Sequence, residues 1–120
     1  MATRSEVVEF LNTFKGCLAL NNLAIKDREK NRQALIDLEM TSDQRREILL
    51  SLQPEDYVAG PQPDDTDETK EVWVFGKQCE GVEVYIKARM APVPGKQNVY
   101  QALLWSFHAA EHKMNYPLRR

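Results

Sequence analysis

The spacing of apolar residues changes from helical to alternating about halfway along the chain, and this change constrains the fold most strongly. In residues 5–20 apolar side chains recur every three or four positions, which predicts an amphipathic helix with Ser5 as its N-cap. A brief extended piece is expected at residues 23–25. From Glu71 onward apolar residues recur at every second position, which predicts β-strands. The chain of 120 residues is therefore predicted to form a single α+β domain over residues 1–120.

Two more helices and a loop are predicted between these regions. Residues 31–40 have the pattern of a short helix, and Thr41 precedes Gln44 by the three positions of a capping box, which predicts the start of a third helix. Pro54 ends that helix. Residues 56–70 contain glycine, two prolines and an acidic run, so they are predicted to form a solvated loop whose charge serves solubility.

Three antiparallel strands are predicted in the second half of the chain. Residues 71–75 and 82–89 are expected to pair as a hairpin, and the more continuously apolar segment 99–107 is expected in the interior of the sheet. The helices are expected to cover one face of this sheet. The tail from Glu111 to Arg120 is polar and is expected to be irregular.

The composition excludes several classes of protein. With 42% hydrophobic and 28% charged residues, the chain is close to the average for globular domains and far from disordered sequences. Cys17 and Cys79 stand far apart without metal-ligand spacing, which favours two free thiols in a reducing, cytoplasmic compartment over a bridge between them. Because there is no apolar run of ~18 residues and no secretion signal, neither a membrane span nor export is expected.

Charge is distributed unevenly between the two halves of the chain. Residues 1–69 contain 8 Lys and Arg against 14 Asp and Glu, and residues 70–120 contain 8 against 4, so the halves carry −6 and +4. This asymmetry indicates that the basic half contacts an anionic partner, such as RNA or an acidic protein. Sampling noise in a near-neutral domain is the alternative.

Alternation within residues 82–89 places a polar set on the sheet face that the helices leave uncovered. Tyr85, Lys87 and Arg89 follow one another on this face at intervals of about 7 Å. A phenol ring can stack on a base and cations can pair with phosphates, so this set suits an RNA backbone. A solvated strand face is the alternative interpretation.

The third strand adds a histidine to this set. Its bulky side chains are expected to face the helices: Leu103, Trp105 and Phe107. His108 then shares the uncovered face with Tyr85 and Lys87. An imidazole titrates near neutrality and a neighbouring cation stabilises a phosphorane, so general acid–base cleavage of a phosphodiester is possible without metal. His108 and His112 lack the further ligands of a metal site, so no metal or cofactor is expected. A structural role is the commoner one for a lone histidine at a strand end.

Four segments, spread over nearly the whole chain, together resemble one protein family. They are DREKNRQALIDLEMTSDQRREILLSLQPEDY, EVWVFGK, VEVYIKARM and SFHAAEHKMNYPL. In this order they resemble the type II toxin–antitoxin toxins of the motility quorum-sensing regulator (MqsR) family, in the wider RelE-like mRNA interferase group. The resemblance implies a RelE-like fold with N-terminal helices on one face of an antiparallel sheet.

The function that this resemblance implies is translation arrest by a metal-independent, sequence-selective endoribonuclease. In that reaction the ribose 2′-oxygen attacks the neighbouring phosphate and leaves a cyclic phosphate and a free 5′-hydroxyl. An antitoxin protein encoded beside the toxin is expected to silence it, docking on the basic half. A non-catalytic protein-binding module of the same fold is the alternative.

One candidate site residue, Tyr85, matches the family pattern. Three other positions differ from it. Tyr85 falls on the family's catalytic tyrosine. His108 falls on the family's lysine after Ser-Phe, which exchanges a permanent cation for a titratable group. Ala59 stands in the region of another catalytic lysine, and Val74 stands where the family has glutamine.

The resulting prediction is one catalytic set and one RNA-binding set. The catalytic set comprises His108 as general acid or base, Tyr85 as its partner and Lys87 as a phosphate contact. The residues expected to bind RNA or phosphate are Arg89, Lys77 and Trp73. Of these, Lys77 or Arg89 is expected to substitute electrostatically for the missing lysine.

Overall fold

The computed structural model describes residues 1–119 as three α-helices and one five-stranded sheet. The helices are α1 (Arg4–Ala19), α2 (Glu29–Asp37) and α3 (Ser42–Leu50). The strands are β1 (Leu23–Ile25), β2 (Tyr57–Pro63), β3 (Glu71–Cys79), β4 (Val82–Pro92) and β5 (Tyr100–Ala109). The predicted α+β class, with helices preceding most of the sheet, is confirmed. Arg120, the end of the tail predicted to be irregular, lies outside the described residues.

The strands predicted in the second half, β3, β4 and β5, pair antiparallel as expected, and the parallel strand β1 makes the whole sheet mixed. Its strand order is β1-β5-β4-β3-β2, with β1 parallel to β5 and every other neighbouring pair antiparallel. The expected hairpin is the β3–β4 pair, and β5 lies in the interior of the sheet as expected. A three-residue strand carries too little pattern to specify its partner, which is why the parallel pairing was not predicted.

Capping boxes start the first and third helices. Thr3, and not Ser5, is the N-cap of α1, because its hydroxyl accepts from the Glu6 N–H while the Glu6 carboxylate accepts from the Thr3 N–H. The residue three positions after Ser5 is a valine, which cannot make the reciprocal bond. The predicted capping box of Thr41 and Gln44 is confirmed at the start of α3.

The core lies between the helices and one face of the sheet. The apolar stripe of α1 predicted from the sequence is completely or almost completely buried: Val7, Phe10, Leu11, Phe14 and Leu18. It packs with Leu49 of α3 against the inward side chains of the central strands: Phe75, Val84, Ile86, Leu104 and Phe107. Each such side chain contributes roughly 1.5–3 kcal/mol by leaving water. None of the helices in the described part of the chain is long and apolar enough to cross a membrane.

The predicted loop 56–70 contains a strand in its first half. Residues 57–63 form β2 and pair with β3, with irregular register around Ala59. Tyr57 at the start of β2 is fully buried, where its hydroxyl donates to the Gly60 carbonyl oxygen and accepts from the Ala2 N–H. The glycine and prolines that suggested a loop lie in an outer strand, where prolines are tolerated.

The C-terminal tail lacks regular structure, as expected, but it packs across the sheet face opposite the helices. β3 continues through Gly76, where a Cβ would overlap the hydroxyl oxygen of Tyr116 and lie 2.6 Å from Cε of Met114. The Tyr116 hydroxyl donates to the Glu83 carboxylate at 2.7 Å. Gly76 is therefore a place where another segment approaches the backbone closely, and not the strand end that was predicted.

Salt bridges between the two halves of the chain neutralise several of the charges that make up the asymmetry seen in the sequence. Lys87 pairs with Asp64 at 2.8 Å and Lys77 pairs with Asp56 at 3.0 Å. Arg119 also approaches Asp56, at 3.6 Å. Several cations of the basic half thus meet carboxylates of the acidic half inside one molecule. Cys17 and Cys79 are both free.

Candidate functional site

A cavity of about 340 Å³ opens on the sheet face opposite α1 and α3, which we call the open face. Strands β4 and β5 form its floor, and α2, the loop after β2 and the C-terminal tail form its sides. The residues that line it are Arg28, Lys30, Asp64, Asp65, Thr66, Tyr85, Lys87, Trp105, Ser106, His108, Glu111, His112 and Met114. Three of the residues predicted from the sequence, Tyr85, Lys87 and His108, are therefore brought together.

Tyr85 and His108 form a stacked pair at the centre of the cavity floor. They are directly opposed in the antiparallel β4–β5 ladder, which places both side chains on the same face. Their rings stack with centroids 5.1 Å apart and an interplanar angle of 20°. The predicted shared face of these two residues is confirmed, and each ring holds the other in place.

A β-bulge in β5 explains why Trp105 faces the cavity and not the helices as predicted. Lys87 is opposite Ser106, but the next residue, Ala88, is opposite Leu104, so Trp105 is the extra residue. A bulge reverses the alternation on one side of itself. Leu103 was likewise assigned to the wrong face, since Leu104 is the buried core residue.

The side-chain amide of Asn31 holds the backbone of this bulge. Its Nδ2 donates to the carbonyl oxygens of Trp105 and Lys26, both at 3.1 Å, and its Oδ1 accepts from the Phe107 N–H at 3.0 Å. Pairing of β1 with β5 ends at Leu104, so the amide continues the ladder where β1 stops. Asn31 on α2 is 2% exposed, and both the amide nitrogen and the amide oxygen of its side chain are hydrogen-bonded. These bonds fix the backbone of the bulge.

Lys87 is held by a buried carboxylate from the predicted acidic loop. Its ammonium group donates to Asp64, which also accepts hydrogen bonds from the hydroxyl and N–H of Thr66. Burial alone would raise the pKa of Asp64, but the bonds from Lys87 and Thr66 outweigh it and hold that pKa far below its usual range. The interpretation of this segment as a solvated loop was wrong for Asp64, which is 1% exposed.

The charge of Lys87 is therefore already balanced. Burial opposes the charged form of Lys87, but the hydrogen bond to Asp64 and the nearby negative charges raise its pKa overall. The ammonium nitrogen lies 5.9 Å from the centroid of the Tyr85 ring. Lys87 can orient the ring of Tyr85, but it is less available to a phosphate than an unpaired cation.

Arg28 is the cation that sequence analysis did not single out. Its guanidinium donates to the Ser106 hydroxyl at 2.6 Å and to the Trp105 carbonyl oxygen at 3.4 Å. Both partners are neutral, and Arg28 forms no salt bridge with the residues of the described chain. Its positive charge is available to an anion in the cavity.

The three residues expected to bind RNA lie outside the cavity. Arg89 is on the same face as Lys87, but it does not line the cavity and its Nε donates to the Met90 carbonyl oxygen. Lys77 and Trp73 are on the opposite, helix-covered face, since β3 pairs them with the core residues Val84 and Ala88. Trp73 and Lys77 lie at every second position of β3 with the buried residue Phe75 between them, so the sequence pattern alone could have placed both on the helix-covered face.

Trp73 and Lys77 have structural partners on the helix-covered face. The Trp73 ring stacks on Phe10 with centroids 4.5 Å apart. The Lys77 ammonium donates to Asp56 and to the Ser51 carbonyl oxygen. Neither residue can contact a ligand in the open-face cavity from these positions.

His108 has the tautomer and surroundings of a base. Its Nδ1 lies 2.9 Å from the Ala109 carbonyl oxygen, so Nδ1 carries the proton and Nε2 is the basic nitrogen of the neutral ring. Burial lowers the pKa of His108, and the positive charges of Lys30 and Arg28 lower it further, against the opposing effects of Ala109 and Glu111. The lowered pKa favours the neutral ring, which is the form that can accept a proton.

No group of three or more His, Cys, Asp or Glu side chains within residues 1–119 is arranged to hold a metal ion. Comparison of the chain with protein-family models, with curated proteins and with solved structures finds no match. The arrangement in the cavity is therefore the basis for assigning a function. It combines a neutral imidazole, a phenol and an unpaired guanidinium within one concave site.

Proposed function

We propose that this protein is a metal-independent endoribonuclease that cleaves RNA by transesterification. The observation that carries the proposal is the stacked Tyr85–His108 pair in one cavity with the unpaired guanidinium of Arg28. These three groups supply a base, an acid and a phosphate-binding cation, which cleavage of a phosphodiester next to a ribose hydroxyl requires. The resemblance to the MqsR toxins points to the same chemistry.

In the proposed reaction His108 is the base and Tyr85 is the acid. Nε2 of His108 takes the proton of the ribose 2′-hydroxyl as the 2′-oxygen forms a bond to phosphorus. The bond from phosphorus to the 5′-oxygen breaks, and the Tyr85 hydroxyl gives its proton to that oxygen. The products are a 2′,3′-cyclic phosphate and a 5′-hydroxyl, and the two side chains return to their starting states by exchanging protons with water.

Arg28 stabilises the charge that develops on the phosphate in this scheme. A guanidinium can donate to two non-bridging oxygens at once, and its bond to Ser106 orients it within the cavity. Lys30, which also lines the cavity, is paired with Glu111 at an exposed position and contributes more weakly. Lys87 acts through Tyr85 as a positioning residue, since Asp64 already neutralises it.

The resemblance extends the proposal to the biological setting. We infer a toxin that acts on mRNA in the cytoplasm and that is silenced by an antitoxin protein. The salt bridges between the halves leave less of the basic half free for such a partner than the net charge of that half suggests.

A second candidate, a non-catalytic protein-binding module of the same fold, is favoured by the carboxylates in the cavity. Asp64, Asp65 and Glu111 line it beside the three cations Arg28, Lys30 and Lys87, so its formal charge is balanced. A polyanion gains less from a balanced cavity than from a basic one.

Purified protein incubated with a mixed-sequence RNA in EDTA, between pH 5 and 9, separates these candidates. We expect cleavage that leaves 5′-hydroxyl ends, detected by ligation-based mapping of the fragments. His108→Ala and Tyr85→Phe are expected to lower the rate by about 100-fold or more. Arg28→Met is expected to lower it similarly, whereas Lys96→Met, which removes an exposed cation outside the cavity, is expected to leave it unchanged.

Comparison of Arg28→Met with Arg89→Met tests the assignment of the phosphate-binding cation. Arg89 shares the open face but not the cavity, so its loss should have a small effect. Absence of cleavage at every pH, with the circular dichroism spectrum of a folded protein, would remove the nuclease proposal and favour the binding module.

A further inference from the structure

A second, larger cavity of about 630 Å³ forms a groove between the α2–α3 segment and the turn that joins β3 to β4. It shares no lining residue with the open-face cavity. The residues that line it are Asp37, Leu38, Glu39, Met40, Gln44, Glu47, Ile48, Ser51, Lys77, Gln78, Cys79, Glu80 and Val82. We call this cavity the helix–turn groove. The proposed nuclease chemistry uses none of these residues.

The floor of the helix–turn groove is apolar. Leu38, Met40, Ile48 and Cys79 are partly buried and pack against the hydrophobic core, so their inner sides are fixed and their outer sides face the groove. Val82 adds an apolar side chain that is 38% exposed. Partly exposed apolar side chains that line one concave surface favour a partner that also buries apolar groups.

The rim of the helix–turn groove is acidic. Asp37, Glu39, Glu47 and Glu80 are exposed around it, and the salt bridges within residues 1–119 include none of these four. The one basic residue that lines the groove is Lys77, whose ammonium group is paired with Asp56. The groove therefore presents an uncompensated negative potential above an apolar floor.

Two of the rim carboxylates occupy backbone positions that suit other residues better. Glu39 follows the C-cap of α2 with a φ of 52°, and Glu80 precedes Gly81 in the β3–β4 turn with a φ of 50°. Glycine or asparagine is favoured at both kinds of position, and a left-handed conformation costs other residues roughly 1 kcal/mol. The chain thus places carboxylates at this rim at some expense in stability.

We propose that the helix–turn groove binds a basic, amphipathic segment of a partner protein. Apolar side chains of the segment would enter between Leu38, Met40 and Ile48, and its Lys or Arg side chains would pair with the rim carboxylates. An acidic rim around an apolar floor complements that pattern of charge, as in other grooves that take one face of a peptide. This inference goes beyond the proposed nuclease activity and does not depend on it.

The rim geometry permits a variant that removes charge without weakening the fold. Glu39→Asn and Glu80→Asn together delete two carboxylates and place a residue suited to positive φ at both sites. We therefore expect the double variant to have a higher melting temperature than the wild type. Glu9→Gln with Glu68→Gln is the matched control, because it deletes two exposed carboxylates that do not line the groove.

A random library of 12-residue peptides displayed on phage is the probe. Selection on the wild-type protein, after removal of phage that bind the Glu39→Asn, Glu80→Asn variant, is expected to enrich peptides that combine Lys or Arg with apolar residues. Fluorescence anisotropy of the enriched peptides should show affinity at least 10-fold weaker for the double variant and unchanged for the control. Amide chemical-shift changes should fall in residues 37–51 and 77–82.

Each of the following results would overturn the inference. They are enriched peptides without an excess of basic residues, equal affinity for the wild type and the stabilised double variant, and shift changes centred outside the groove. Failure to enrich any peptide would also contradict it, provided that the immobilised protein remains folded. RNA cleavage by the same preparation is an independent readout, so loss of one proposal leaves the other testable.

Discussion

The ammonium nitrogen of Lys87 lies 2.8 Å from a carboxylate oxygen of Asp64, and the two side chains are only 10% and 0% exposed. Such a pair contributes little net stability when both members are present, because the cost of removing two charges from water offsets their attraction. Removal of one member leaves the other as an unpaired buried charge, which is strongly destabilising. Asp64 also anchors Thr66 and Asp67, so the pair attaches the loop after β2 to the open face.

We expect a double-mutant cycle to measure the Lys87–Asp64 coupling directly. Asp64→Asn and Lys87→Met should each lower the free energy of unfolding by about 3 kcal/mol. The double variant should lose clearly less than the sum, because neither buried charge then remains. Urea denaturation followed by tryptophan fluorescence provides the measurement, and additive losses would show that the two side chains do not interact.

The pH dependence of RNA cleavage should report the lowered pKa of His108. A base must be deprotonated to act, so activity should be lost as pH falls through the pKa of His108, at a midpoint below the ordinary value of about 6.5. The same shift affects stability: the unfolded chain binds a proton at higher pH than the folded one, so the contribution of His108 is lost as pH falls.

The cause of this lowered pKa is separately testable. Arg28→Met and Lys30→Met each remove a positive charge that lowers the pKa of His108, so each should move that pKa upward. Titration of the His108 ring protons by NMR measures this without RNA, and His108→Ala assigns the resonance. A His108 titration that neither variant moves would contradict the assigned electrostatic cause.

Substitution of Gly76 by alanine should release the C-terminal tail. The new methyl group would overlap Tyr116 and Met114, and only the Met114 side chain is free to move, because Glu83 holds the Tyr116 hydroxyl. We expect a loss of about 1–2 kcal/mol in the free energy of unfolding. Trypsin cleavage after Lys113 should become faster, and adding Tyr116→Ala should recover part of the stability.

Replacement of Asn31 by aspartate should disturb the bulge that turns Trp105 toward the cavity. Aspartate keeps the acceptor for the Phe107 N–H but loses both donated bonds, so the Trp105 carbonyl oxygen faces a carboxylate. We expect the free energy of unfolding to fall by about 2 kcal/mol or more. Asn22→Asp is the control, since the bond from Asn22 to the Tyr100 carbonyl oxygen is exposed, and a smaller loss is expected there. Equal losses would show that burial of Asn31 adds nothing.

The sequence predicted those features that depend on neighbouring residues. Strict alternation in β4 placed Tyr85 and Lys87 on the open face, and the three-residue spacing of Thr41 and Gln44 marked the start of α3. The side-by-side arrangement of Tyr85 and His108 also followed from alternation, since His108 lies beyond the bulge, where the ladder regains its regular register.

The features that the sequence did not predict depend on distant partners. Nothing in the sequence distinguishes Asp64 from the solvated acidic residues beside it, because its buried partner, Lys87, is 23 residues away. Trp105 was assigned to the core because nothing in an apolar run marks the position of a bulge. Arg28 had no local signal, since its role comes from Ser106 on a strand 78 residues later.

The hydrogen bonds of the Asn31 side-chain amide also bear on whether two copies of the protein can pair through the edges of their sheets. Beyond Leu104, that amide occupies the carbonyl oxygen of Trp105 and the N–H of Phe107 on the outer edge of β5, and β1 extends the sheet by only three residues. At the other side of the sheet, β2 carries Pro61 and Pro63, which cannot donate backbone hydrogen bonds. We therefore expect a second copy to find few groups with which to add a strand at either margin of the sheet.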